Sequence, residues 1–587
     1  MPREVDIAAP GAAGRVHIAD AAIVAALGAA VFGFHLGSYR LWEPDEARYA
    51  EIAREMIALG NYLLPHLNYV LYVEKPPLLY WVTALSMGAF GHNELAARIP
   101  GALFAIAGAL ATWLFTAHTF DRRRALLAGA ILATAPLYAV MAQVLTTDIA
   151  LTALMTIALF ALYLQWREGG RWHWIGYVAI GLGVLAKGPV AAAIPVLVFA
   201  VFLWRERALR GAMAQLHIVR GLIVSVAIAA PWFIYMIAKV PDFFSFYFIG
   251  EHLRRFLDSS YSHSAPLWFY IPVIAAGLLP WSVIAPFMVW RPVESNSARR
   301  FSVITALMIF AFFSISRSKL IPYIMPAIPP LAILIADAIA RTAWPAQPMR
   351  LDRDDRSGNA SSRLFVAAPI LGLVGAAAIA TAILGPHASS PYLMVIQPAL
   401  LALGAVALIG GAMTAGAFRF AGVGAGLIAI VLTMTAALWT GTYGRLEAEP
   451  LRSYAALSQA VAERAPDATI LCYRRYVQAI PFYTGRRAIV VGAKTELTFG
   501  AAHAPDAADW FFDGEPAMLR LWRKPGPVVI VLDERDLARL APKLGPYVVI
   551  GIESHKIAIL KSAVGGQERN DTQQRSGIQQ LGATNDG

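Results

Sequence analysis

Apolar stretches of bilayer length recur from residue 18 to residue 441, and nothing constrains the fold of this chain more. A run of about 20 apolar residues is what one helical crossing of the hydrocarbon layer requires. The stretches fall at 18–38, 77–92, 96–118, 124–142, 146–166, 173–187, 189–204, 217–239, 266–290, 300–316, 318–341, 364–385, 392–415 and 419–441. With 58% hydrophobic residues and a mean hydropathy of +0.56, the chain lies far outside the range of soluble domains. The formal charge of +11 sits in short inter-helix loops, which favours membrane-topology determinants over nucleic acid as its explanation. A single cysteine, Cys472, excludes an internal disulfide and a cysteine-built zinc site. Residues 1–20 are polar and show no cleavable signal pattern.

Basic loops give the orientation. Arg122-Arg123-Arg124, Arg167 with Arg171, Arg205/Arg207/Arg210, Arg291 with Arg299-Arg300, and the 341–363 loop share one side only if 77–92 lies in the interface rather than crossing. The expected fold class is therefore a polytopic α-helical membrane protein of about 13 transmembrane helices, N-terminus inside and C-terminus outside. A C-terminal soluble α/β domain follows. The domains expected are 1–445, a membrane domain with an outer loop at 39–95; 446–562, an outer-face α/β domain; and 563–587, a disordered tail rich in Gln, Gly, Asn and Ser. In the soluble part, strands are expected at 468–473, 488–491, 528–532, 547–552 and 557–560. Helices are expected at 451–465, 510–522 and 534–544, the alternation predicting a mainly parallel sheet.

This topology gathers charge on the outer face. Asp45, Glu46, Arg48, Glu74, Lys75, Asp148, Lys187, His252, Arg254, Arg255, Arg317 and Lys319 come from separate loops, most of them at helix ends. Ionisable groups at membrane depth are costly and mark function. Each also has a plainer reading. Asp148 is placed to cap a helix, Lys187 to be a loop lysine, Arg254-Arg255 to anchor headgroups, and Asp45-Glu46 to open a solvated helix. Arginine and lysine beside a bilayer suit a phosphate. Carboxylates among them suit a base, a metal ligand or a partner for a cationic sugar. No Gly-rich phosphate loop, zinc motif or Gly-x-Ser-x-Gly elbow occurs. Tyr72 and Tyr323, with Tyr80, Tyr247 and Tyr270, are candidates to line a sugar or headgroup site, or else to form an interfacial aromatic belt.

The segments Leu41-Trp42-Glu43-Pro44-Asp45-Glu46-Ala47-Arg48-Tyr49 and Glu74-Lys75-Pro76-Pro77-Leu78-Leu79-Tyr80-Trp81 resemble the first outer loop of bacterial C-type membrane glycosyltransferases. The resemblance is strongest to the aminoarabinose transferases acting on lipid A, relatives of the protein O-mannosyltransferases. It continues at Thr146-Thr147-Asp148, Ala186-Lys187-Gly188-Pro189, Gly250-Glu251-His252-Leu253-Arg254-Arg255-Phe256 and Ser316-Arg317-Ser318-Lys319-Leu320-Ile321-Pro322-Tyr323. What it implies is transfer of 4-amino-4-deoxy-L-arabinose from undecaprenyl phosphate to a lipid A phosphate, at the periplasmic face of the inner membrane, conferring resistance to cationic peptides. On that likeness Asp45, Arg48 and Asp148 are the catalytic candidates. Lys75, Tyr72, Lys187, Arg254, Arg317, Lys319 and Tyr323 are the carrier-phosphate and substrate candidates. No cofactor is required; a divalent metal on Glu74 and His252 stays open. Partners implied are the lipid-linked sugar, lipid A and membrane lipids, with no nucleic acid. The alternatives are a relative using another sugar or a protein acceptor, and, from a different class, a transporter of lipid-linked substrate.

Overall fold

The computed structural model describes residues 17–254, 265–284, 296–344, 364–385 and 391–562. The expected disordered tail at 563–587 lies outside them. A helix stands at every one of the fourteen apolar stretches. By length and composition, eight of the described helices can cross a membrane. A ninth is added if Arg122–Thr134 and Pro136–Ala142, bent by 63° at the proline, count as one span. Three apolar helices are shorter, Ile18–Phe32, Leu78–Phe90 and Val190–Arg205. Proline and glycine account for several interruptions: Pro136 opens a new helix, Gly188-Pro189 splits 173–204, and Pro322 and Pro326 tighten Ile321–Ala327 into a 3₁₀ turn before Ile328–Ala343.

The chain divides into two compact units. The first comprises 1–40, 52–65 and 73–449; the second comprises 41–51, 66–72 and 450–587. The outer loop expected to belong wholly to the membrane domain is thus shared out, two of its pieces building the second unit.

In the membrane unit, buried charge is paired. Asp337, 1% exposed, accepts from Arg124 Nε at 3.0 Å and Arg299 Nε at 2.6 Å, and Arg341 Nε lies 3.2 Å away. This ties three helices, Arg122–Thr134, Ser297–Ile315 and Ile328–Ala343, at one point. Arg98 is fully buried and donates to the carbonyls of Leu36, Tyr39 and Arg40 at 2.7–3.1 Å, holding the turn that follows the first helix.

The second unit is built on a six-stranded sheet ordered Phe511–Phe512, Ile489–Ala493, Thr469–Arg475, Val528–Asp533, Lys556–Lys561, Tyr547–Glu553. The first four strands are mutually parallel, and the last two add antiparallel pairings. The mainly parallel expectation holds for three of the five pairings, and the strand Lys556–Lys561 adds the two antiparallel ones. Only Ser554 and His555 separate the last two strands, with Ser554 at φ +53°, and so short a link can only reverse direction. A correction falls at 510–522: Phe511 and Phe512 form the edge strand, and the helix begins at Gly514. Leu471, Val491, Ile530, Leu532, Ile559 and Trp522 pack in its core.

The loop pieces are stitched into this unit by backbone chemistry. Asn68 mimics a strand partner, donating to Ala488 O at 2.8 Å and accepting from Ala488 N at 2.9 Å. Gly500 packs so tightly on the hairpin His66–Leu67/Val70–Leu71 that a Cβ there would meet Leu71 O at 2.3 Å. Leu41 N donates to the Tyr483 hydroxyl, and Glu43 N to Arg452 O.

Removing one member of a buried ion cluster strands the others. Asp337→Ala leaves three guanidiniums facing one another and is expected to destabilise the membrane unit by about 3–5 kcal/mol. The check is a clear fall in melting temperature of the detergent-solubilised protein; an unchanged Tm contradicts the assignment.

Candidate functional site

Two helix termini bring opposite charges together in the membrane unit. Asp148 lies in the first turn of Thr147–Glu168, where the helix dipole favours an anion; Lys187 is the last residue of Trp172–Lys187, where it favours a cation. Gly188, at φ +93°, then releases the chain, and Pro189 starts the next helix. The two side chains meet in a direct ion pair, each about 15% exposed. Asp148 is not the helix cap, since Thr146 takes that position and makes no side-chain cap bond. The ring of Tyr323 lies 4.5 Å from Lys187 Nζ, within cation–π range.

A second pair flanks the first. Lys75 Nζ lies 3.8 Å from Glu251 Oε2 and donates to the Glu74 carbonyl at 3.2 Å. Glu251 is carried by a wide π-helical turn, Ser245–Arg254. Lys75, Asp148, Lys187, Glu251, Ser316, Ser318 and Tyr323 line one cavity of about 530 Å³, a volume typical of ligand pockets. Its other walls are apolar: Leu151, Val190, Ala193, Phe248, Phe312, Phe313, Pro189 and Pro326. Two ammoniums and two carboxylates thus share a groove otherwise suited to hydrocarbon.

The remaining candidates fall elsewhere. Lys319 is buried beside this cavity without lining it; its ammonium donates to Ser316 O at 2.6 Å. Arg317 and Arg254 are exposed and line no part of the groove. The side chain of His252 lies outside the described residues. Among those described, no group of three or more His, Cys, Asp or Glu is arranged to hold a metal, and Glu74 enters the site through its carbonyl. Sequence reasoning passed over Glu251, Ser316 and Ser318 as site residues. Glu251 was visible as a carboxylate next to the basic residues chosen from the same motif.

Asp45, Arg48 and Tyr72 belong to the second unit. Asp45 opens the helix Asp45–Leu59, exposed, with Arg48 Nη2 3.5 Å from its carboxylate. Glu46 turns back to accept from Trp42 N at 3.1 Å. Arg48 Nε lies 3.9 Å from Glu496 Oε1, and the buried Tyr72 phenol is within electrostatic range. A cavity of about 420 Å³ is lined here by Glu43, Arg48, Arg475, Glu496, His555 and Lys556, among others. Glu43 accepts from Ala479 N at 2.5 Å. Desolvation pushes its carboxyl pKa up to about 8, outweighing the opposing pull of the Ala479 and Gln478 amides and of Arg48.

Two family models match this chain in order. That described as dolichyl-phosphate-mannose-protein mannosyltransferase matches residues 74–235, and that described as aminoarabinose transferase C-terminal domain matches residues 457–561. An undecaprenyl phosphate-α-4-amino-4-deoxy-L-arabinose arabinosyl transferase of Enterobacter sp. (strain 638) is 36% identical over 312 residues, covering 50% of this chain and 55% of that protein. Its counterpart in Pectobacterium carotovorum subsp. carotovorum is 33% identical over 384 residues, covering 63% and 66%. In its best-matching stretch the chain spans little more than half the length of such curated relatives. The crystal structure of ArnT from Cupriavidus metallidurans bound to undecaprenyl phosphate superposes with a TM-score of 0.80 at 28% identity, covering 94% of this chain and all of that one.

A raised carboxyl pKa has a definite sign. The protonated Glu43 is the form the fold prefers, so its stabilising contribution is complete below pH 4.5 and is lost as pH rises through about 8. Thermal unfolding of the full-length protein between pH 6 and 9 should show the second unit weakening with pH, and Glu43→Gln should flatten that slope. An unaltered slope in the variant contradicts the assignment.

Proposed function

Because the chain belongs to the aminoarabinose transferase family of C-type membrane glycosyltransferases, we propose that it moves 4-amino-4-deoxy-L-arabinose from undecaprenyl phosphate to a phosphate of lipid A. The setting proposed is the periplasmic face of the bacterial inner membrane. The observation that carries this reading is the groove itself: Lys75 and Lys187, each beside a carboxylate, in one cavity whose other walls are apolar. The isoprenoid tail lies along the apolar walls and the carrier phosphate takes the ammoniums.

In the reaction, an oxygen of the acceptor phosphate attacks the anomeric carbon of the sugar. The bond from that carbon to the carrier phosphate oxygen breaks, and undecaprenyl phosphate leaves with the electron pair. A lipid A phosphate is largely anionic at neutral pH, so little deprotonation is needed before attack. The demand falls on the leaving group, where charge grows. Lys75 and Lys187 meet that charge, their partners Glu251 and Asp148 holding each ammonium in place until the phosphate arrives. Tyr323 faces Lys187 and fixes its direction. Asp45 and Arg48 are assigned by the sequence motif to the transfer step, through the sugar's amino group or the acceptor.

Purified full-length protein, supplied with synthetic undecaprenyl phosphate-aminoarabinose and lipid A, should give lipid A of correspondingly increased mass. Lys187→Ala and Lys75→Ala are each expected to slow that conversion by about a hundredfold. Asp45→Asn should cost at least about tenfold if its charge takes part. Failure of the unaltered protein to convert lipid A, or full rates in both lysine variants, overturns the reading.

A further inference from the structure

The membrane unit holds a second basic pocket, which the transfer reaction does not use. Between the helix Val190–Arg205 and the short helix Leu209–Gln215 the chain turns sharply, Arg207 taking the left-handed region at φ +57°. The turn encloses a pocket of about 610 Å³ lined by Trp204, Arg205, Arg207, Leu209 and Arg210. The single carboxylate in the segment 204–215 is Glu206, and it is already committed. Its two oxygens accept from Arg300 Nε at 2.6 Å and Nη2 at 2.9 Å. Among the described residues, no ion pair engages Arg205, Arg207 or Arg210.

Three solvent-exposed guanidiniums without an ion-pair partner converge on one pocket, where an anion from outside the chain can engage them together. The surroundings say what kind of anion. Trp204 is 67% exposed, and Leu209 and Met213 stand out from the same turn. The helix Ile218–Lys239, apolar over bilayer length, exposes Val219, Leu222 and Ile223 just beyond. A tryptophan and aliphatic side chains interleaved with arginines are the composition of a membrane–water interface.

We propose that this pocket binds the phosphodiester headgroup of an anionic membrane phospholipid. The arginine forks engage paired phosphate oxygens, which their planar donors match. Trp204 and Leu209 lie against the glycerol and the first acyl carbons. Read only as topology determinants, the same arginines would hold no lipid in preference to another.

Native mass spectrometry of the full-length protein, released from micelles titrated with dioleoyl phosphatidylglycerol or dioleoyl phosphatidylcholine, tests this. Preferential retention of phosphatidylglycerol is expected. The triple variant Arg205→Gln/Arg207→Gln/Arg210→Gln should weaken it on the order of a hundredfold. The triple lysine variant, which keeps the charge but not the fork, should fall between. Should the triple glutamine variant fail to fold, Arg210→Gln alone, expected about fivefold weaker with an unchanged melting temperature, decides the matter. Equal retention of both lipids, or unweakened binding in the glutamine variants, overturns the proposal. So does displacement by sn-glycerol 3-phosphate at equal concentration, which would make this a site for a soluble phosphate.

Discussion

An ammonium and a carboxylate pressed together in the wall of a largely apolar groove set the terms for the membrane unit. Lys187 and Asp148 each sit where a helix dipole stabilises their own charge, one at a C-terminus and one at an N-terminus. Bringing those termini face to face needs the chain to stop abruptly after Lys187, which Gly188 at φ +93° and Pro189 achieve. The tight Ser316–Tyr323 passage then closes the site from the other side, with the Tyr323 ring over the ammonium. Neither charge is left bare beside hydrocarbon, where an isolated ion would be costly. Yet both keep about 15% of their surface open to the groove, so an incoming phosphate can compete for the lysine.

The same logic recurs across the unit. Asp337 with its three arginines, and Arg98 with its three carbonyls, are buried clusters that tie helices and turns together. The groove pairs and the arginine turn at 205–210 differ because each lines open space. That contrast separates charges that hold helices together from charges that await a ligand. The second unit follows a separate principle. It fastens loop residues from far earlier in the chain, through the Asn68–Ala488 exchange and the close approach at Gly500.

Much of this was legible in the sequence, and the misses have physical causes. Apolar stretches located the long helices of the membrane unit and the break at Gly188, whereas the breaks at Pro136 and Pro322 and the helices Leu209–Gln215 and Ser245–Arg254 were passed over. Lys75, Asp148, Lys187 and Tyr323 were expected together and line one cavity. Glu251 escaped because its neighbours Arg254 and His252 offered more obvious phosphate and metal chemistry. Only the π-helical turn decides which of them faces the groove. The antiparallel pairing at Ser554-His555 was missed because the expected strands left four residues between them, whereas the strand at Phe511–Phe512 is too short to interrupt an amphipathic pattern. The division of the 39–95 loop between two units had no local signal, since it rests on hydrogen bonds spanning some four hundred residues.

The account stands on where the lipid carrier lies. Photo-cross-linking with an undecaprenyl phosphate analogue bearing a diazirine in its first isoprene units measures that directly. Labelled peptides should come from the helices Thr147–Glu168 and Val190–Arg205 and from the segment around Phe312 and Phe313, which form the apolar walls. Labelling should fall away when Lys75 and Lys187 are both replaced by alanine. Labels confined to other helices, or unchanged by loss of the two lysines, would contradict the groove as the carrier site.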